Sequence, residues 1–150
     1  MVSSLEIPIA ILVGVAVALQ GALNASLGER LEHPLFGSIV AFGVGLGATS
    51  VAVVLWLRRL PTPNAAEQVP NHLWYAGGLV SAVAIVAFYW LIPRIGISTT
   101  ISLSLVGQLG FATLAGHHGW LQLPSTPFTP IRLVGVLSLL IGVFLLHRGN

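Results

Sequence analysis

Residues 35–59 read LFGSIVAFGVGLGATSVAVVLWLRR. No charged residue occurs from Leu35 to Leu57, and the polar residues there, Ser38, Thr49 and Ser50, are hydroxyls that can bond their own helix backbone. At about 1.5 Å per residue the run is about 34 Å long as a helix, enough to cross a hydrocarbon core of about 30 Å. Arg58 and Arg59 stop it, and Trp56 sits just inside that stop. This is the layout of a transmembrane helix with an aromatic ring at the interface.

The pattern recurs on both sides. Apolar runs cover about 7–27, 73–92, 97–115 and 131–146, so the spacing predicts five transmembrane helices in one membrane domain, residues 1–150. The segment Glu29–Pro34 closes the first span. Residues 61–71 hold three prolines and two asparagines and read as a loop. Pro93-Arg94-Ile95-Gly96 reads as a tight turn joining spans three and four into a hairpin. Residues 117–130, with Pro124, Pro127 and Pro130, read as a second loop. The fifth span is near the lower length limit. The first run exceeds the length usual for a signal-peptide core, and its only early charge besides the terminal amine is Glu6, so it reads as a span. Trp56, Trp74, Tyr75 and Trp120 fall at span ends on one side and Tyr89 and Trp90 at an end on the other, as interfacial aromatics do.

Composition excludes the soluble classes. Charged residues are 7% of the chain and hydrophobic ones 55%, against roughly 25% charged in a soluble domain. Mean hydropathy is +0.94. The net charge of +2 offers no basic patch for a phosphate backbone, so nucleic acid is not an expected partner. With no cysteine there is neither a disulfide frame nor a thiolate metal site. No cofactor or metal is expected. No nucleophile–base or carboxylate pair is placed for catalysis, so the chain does not read as an enzyme.

With five spans, Arg58, Arg59 and Arg132 fall on the side of the N-terminus, and Arg30, Arg94 and Arg148 fall opposite. There is no lysine. Orientation follows an excess of Lys and Arg on the cytoplasmic side, and an even split gives no such instruction. The expected consequence is dual topology, with an antiparallel homodimer as the working unit in the bilayer. Five helices plus five inverted helices make a ten-helix inverted-repeat bundle, an arrangement used by transporters.

Polar residues inside the spans are few. Gln20 and Asn24 are one helical turn apart, and Thr100, Ser104 and Gln108 recur every four residues with Gly107 adjacent. Unpaired amides in hydrocarbon cost several kcal/mol, so these groups either bond between helices or line a polar cavity. The cavity reading makes Gln20, Asn24, Thr100, Ser104, Gly107 and Gln108 candidate substrate-binding residues. Small residues mark close helix contacts in lipid. Gly37, Ala41, Gly45 and Ala48, with Gly43 and Gly47, and also Gly78, Ser81 and Ala82, are expected to pack inside one subunit. Gly135, Ser138 and Gly142 on the short fifth span are expected to form the dimer interface.

No Asp occurs, and no Glu, Lys, Arg or His lies at the centre of a span. Such residues are the usual carriers of ion coupling. The adjacent His117 and His118 are expected to point apart, without the spacing of a metal pair, and Arg94 reads as an interfacial anchor.

The block Gly96-Ile97-Ser98-Thr99-Thr100-Ile101-Ser102-Leu103-Ser104-Leu105-Val106-Gly107-Gln108-Leu109 resembles the signature of the YdcZ family, short five-helix members of the drug/metabolite transporter superfamily. The resemblance extends through Trp74–Gly78, the Pro93–Gly96 turn, Gln20 and Asn24, and Gly135 and Gly142, and so spans nearly the whole chain. Members often carry an Asp closing the fourth helix, where this chain has Gly116 followed by His117. The resemblance implies paired antiparallel bundles in a prokaryotic inner membrane, moving a small molecule by alternating access. Without deep charge, the expected substrate is a small polar or zwitterionic metabolite. A dual-topology passive channel and a non-transporting membrane assembly subunit are the alternatives.

Overall fold

A computed structural model describes residues 5–120 and 129–148, and these residues are helical apart from caps and turns. The long helices are α1 (Glu6–Arg30), α2 (Pro34–Ala52), α4 (Ala76–Ile95), α5 (Ile97–His118) and α6 (Pro130–Arg148); a short α3 covers Pro63–Glu67. Four segments are long and apolar enough to cross a membrane: Glu6–Arg30, Pro34–Leu57, Asn71–Ile95 and Ile97–His118. The apolar part of α6, Leu133–Leu146, is shorter. The protein is therefore all-helical, with four to five apolar membrane-spanning helices. The chain forms two compact units, residues 1–94 and 95–150.

In the first unit, α1 ends where Leu31 N–H donates to Leu27 O and Glu32 N–H donates to Glu29 O. Glu32 takes a left-handed backbone, φ 64°, a conformation usually left to glycine. His33 then caps α2, its Nδ1 accepting from Leu35 N–H at 3.2 Å, and Pro34 follows at the first helical position, where its missing N–H costs nothing. The far end of α2 widens into a π-turn over Val53–Leu57, closed by left-handed Arg58, φ 51°.

Two segments differ from the sequence expectation. The expected loop 61–71 contains α3, because Thr62 accepts from Ala65 N–H and Pro63 sits in the first turn, which together start a helix. The expected turn Pro93–Gly96 is helical through Ile95. Proline removes one hydrogen bond, and this close to the helix end little else is lost; the chain breaks at Gly96, whose φ of 82° suits glycine. The second expected loop lies largely outside the described residues, including Pro124 and Pro127, while α5 extends to His118 and α6 begins at Pro130.

Packing within the first unit runs through small residues of α1. A Cβ on Gly37 of α2 would stand 2.5 Å from Asn24 O and 3.1 Å from Gly28 N, so the backbones of α1 and α2 nearly touch there. A Cβ on Gly21 would stand 2.7 Å from Phe88 Cε1 on α4, and one on Gly28 would meet Pro34 at 3.0 Å. Gly21, Ala25 and Gly28 form one small-residue face of α1, and all three are buried. Of the glycines on the faces expected to pack inside the subunit, only Gly37 meets a neighbour: Gly43, Gly45, Gly47 and Gly78 have open space around them, and so do Gly135 and Gly142 on α6. Among the described apolar residues only Ala25, Tyr89 and Ala115 are buried. The helices therefore present nearly all their apolar surface outward, as a bilayer or a partner chain requires.

Gly37→Ala is expected to destabilise the protein by about 1–3 kcal/mol, because the added methyl meets backbone that cannot rotate away. Gly43→Ala and Gly45→Ala, made in open space, should melt like the wild type. Melting of the detergent-solubilised variants checks this, and equal melting of all three would overturn the close α1–α2 approach.

Candidate functional site

Gln20 and Asn24 lie on the face of α1 that meets α4. Asn24 Nδ2 donates to Gln20 O at 2.9 Å and to Gln20 Oε1 at 3.2 Å. The Tyr89 hydroxyl of α4 donates to the same Oε1 at 3.2 Å. Gln20 is about 15 Å along the helix from Arg30, well inside the hydrocarbon depth. Its Oε1 is thus used by two donors, while its own amide N–H groups bond nothing among the described residues. Both Gln20 and Asn24 are half-buried. The pair bonds between helices through Gln20 Oε1 and leaves the Gln20 amide donors unused among the described residues.

Tyr89 corrects the sequence reading. It was expected among the interfacial aromatics, yet it is 1% exposed, the most buried aromatic side chain described. A phenol can lie this deep because its O–H finds the Gln20 amide. Its neighbour Trp90 is 47% exposed, as an interfacial ring is.

Between this cluster and the membrane surface lies a cavity of about 340 Å³, lined by Gly28, Glu29, Glu32, His33, Pro34, Tyr89, Trp90, Pro93 and Arg94. It places the ends of α1 and α4 and the start of α2 together. Arg94 lies with its guanidinium carbon 4.0 Å over the Trp90 ring, and its Nη1 donates to Trp90 O at 2.7 Å.

In the second unit the polar residues of α5 divide. Thr100 is buried, and its hydroxyl donates to Gly96 O at 2.8 Å, so it ties the start of the helix to its own backbone. Ser104 is half-buried, Gly107 has open space around it, and Gln108 is exposed. The Gln108 amide bonds nothing among the described residues. On α6, Ser138 donates to Val134 O at 2.8 Å and is exposed, as are Gly135 and Gly142 on the helix surface. At the end of α5 the rings of His117 and His118, expected apart, meet edge-on at 5.0 Å, and His118 stacks on Trp120 at 5.5 Å. Among the described residues no group of three or more His, Cys, Asp or Glu could hold a metal.

The structure thus joins Gln20 and Asn24 and adds Tyr89, Gly21 and Gly28, which sequence reasoning missed. The signal for the glycines was present, since Gly21, Ala25 and Gly28 recur at helical spacing. Nothing in the local sequence distinguished a buried Tyr89 from an interfacial one.

The chain matches no curated protein and no solved structure in these comparisons. A family described as "Putative inner membrane exporter, YdcZ" matches residues 5–145. That family is one of transporters, not of enzymes, and its location agrees with the apolar helices described above. With nearly its whole length matched, the chain belongs to the YdcZ family and is an integral protein of the inner membrane.

Proposed function

We propose that the protein carries a small polar or zwitterionic metabolite by alternating access, as an antiparallel homodimer of two five-helix chains. The observation that carries this reading is the polar cluster Gln20–Asn24–Tyr89, placed in mid-span and holding unused amide donors. No carboxylate, guanidinium, amine or imidazole lies at that depth in any span, so the cluster suits a ligand without net charge. The second copy is supported by the even division of arginines and by the outward apolar surface of the helices. Exposed Gln108 adds to this, since an amide facing hydrocarbon alone is costly and a partner chain or a wet cavity would satisfy it. In an inverted pair, Gln20, Asn24, Ser104, Gly107 and Gln108 of both copies line one central cavity, Thr100 braces the start of α5, and Gly135, Ser138 and Gly142 form the contact between copies.

Single cysteines placed in 61–71 are expected to label from both sides of the membrane, about half from each. Three lysines added there should fix one orientation and reduce transport, with rescue by an oppositely biased copy. One-sided labelling of the otherwise unaltered protein would sink dual topology.

Gly142→Leu and Gly135→Leu are expected to weaken the dimer by separating the two α6 helices. Cross-linking and light scattering in detergent read this directly, and intact dimers in both variants would move the interface elsewhere.

Gln108→Leu is expected to reduce transport by on the order of a hundredfold or more while preserving the dimer, because a site built to hydrogen-bond its ligand loses more than contact area. Saturable uptake with counterflow in proteoliposomes reads the carrier, and flux without saturation would indicate a pore. A stable Gln108→Leu dimer that transports normally would refute the assignment.

A further inference from the structure

We propose that the cavity at the shared ends of α1, α2 and α4 binds a small zwitterion, with its carboxylate on Arg94 and its ammonium on Glu29 and Glu32. The proposal deepens the zwitterionic-metabolite reading above and rests on it for its place in transport.

The anionic half of the ligand is assigned by Arg94. Its guanidinium carbon lies 4.0 Å over the Trp90 ring, and its Nη1 donates to Trp90 O at 2.7 Å. Its remaining donors bond nothing among the described residues. A guanidinium placed by these two contacts, with its other donors unused, suits a carboxylate.

The cationic half is assigned by two carboxylates. Glu29 and Glu32 line the same cavity, and neither carboxylate is ion-paired among the described residues. The helices α1 and α4 both end here, and helix C-termini add partial negative charge. The start of α2 lies here too and offsets part of that charge, but two carboxylates against one guanidinium still leave the side chains of the cavity short of a cation, which an ammonium group supplies. The volume of about 340 Å³ suits a small metabolite.

The floor connects this cavity to the interior. Tyr89 lines it, and the Tyr89 hydroxyl bonds Gln20 Oε1 at 3.2 Å. A ligand held here is separated from the mid-span amides by one phenol ring. The cavity is therefore a docking position on the way to the deeper site. Every residue that forms it comes from 1–94, so binding requires neither a second copy nor α5 and α6.

The test is calorimetric titration of the purified full chain with glycine, β-alanine and γ-aminobutyrate, and with butylammonium and butyrate as probes carrying one charge each. At least one of the amino acids is expected to bind on the order of tenfold more tightly than either single-charge probe. Glu29→Gln/Glu32→Gln and Arg94→Gln should each lose that advantage, and so should Arg94→Lys, which keeps the charge and loses the fork. Melting of each variant shows that the fold persists. Gly43→Ala, made in open space outside both sites, should bind as the wild type does, and because the titration needs no transport, failure of the transport reading leaves this binding pattern standing. The proposal is overturned if no amino acid of the series binds, if butylammonium binds as tightly as the best of them, or if the glutamine variants bind normally.

Discussion

Hydrocarbon offers no hydrogen bonds, so every polar group carried into it must find a partner in the protein. Most of this molecule's internal organisation can be traced to that constraint. Backbone groups are satisfied by making nearly every described residue helical. Hydroxyls at Ser38, Thr49, Thr100, Thr113 and Ser138 turn back to carbonyls of their own helices. The amides cannot do this fully, because each brings two donors and an acceptor. Gln20 and Asn24 therefore bond each other and draw in Tyr89 from α4, and this small network fixes where α1 and α4 meet.

Apolar contact cannot drive helices together in lipid, where the tails are as apolar as leucine, so close backbone approach takes its place. On α1 that approach uses Gly28, with Gly37 facing it and Asn24 O from α2, while Gly21 makes room for the Phe88 ring of α4. The amide network and the glycine contacts lie on the same helix and reinforce each other: the glycines let the helices come near, and the amides set their register. The result is a first unit whose buried residues are small ones and Tyr89, with a cavity at one end and apolar side chains facing outward.

The outward surface has a functional meaning. Glycines at 43, 45, 47, 78, 135 and 142 face open space in the single chain, and the exposed Gln108 amide bonds nothing among the described residues. Gly135, Gly142 and Gln108 have a physical rationale once a second chain or a wet cavity is beside them. The family to which the chain belongs is described as one of inner membrane exporters, and the proposed alternating access needs surfaces that separate and close again.

The amino-acid sequence by itself determined the class of the fold and the positions of the spans, because bilayer thickness imposes a length and a composition that can be read locally at Leu35–Leu57 and its counterparts. It also determined which amides lie deep, since helical depth follows from counting residues. Helix ends were read less well: Pro93 looked like a turn, but a proline near the end of a helix costs too little to stop it, and the left-handed backbone at Gly96 does so instead. Only the tertiary structure decided which small residues touch and which aromatic goes inside. Gly37 and Gly45 are alike in sequence, as are Tyr89 and an interfacial tyrosine, and what separates them is the partner across the helix contact. The cavity was likewise illegible, because Glu29, Glu32 and Arg94 lie some sixty residues apart along the chain and are joined only when α1 and α4 end side by side.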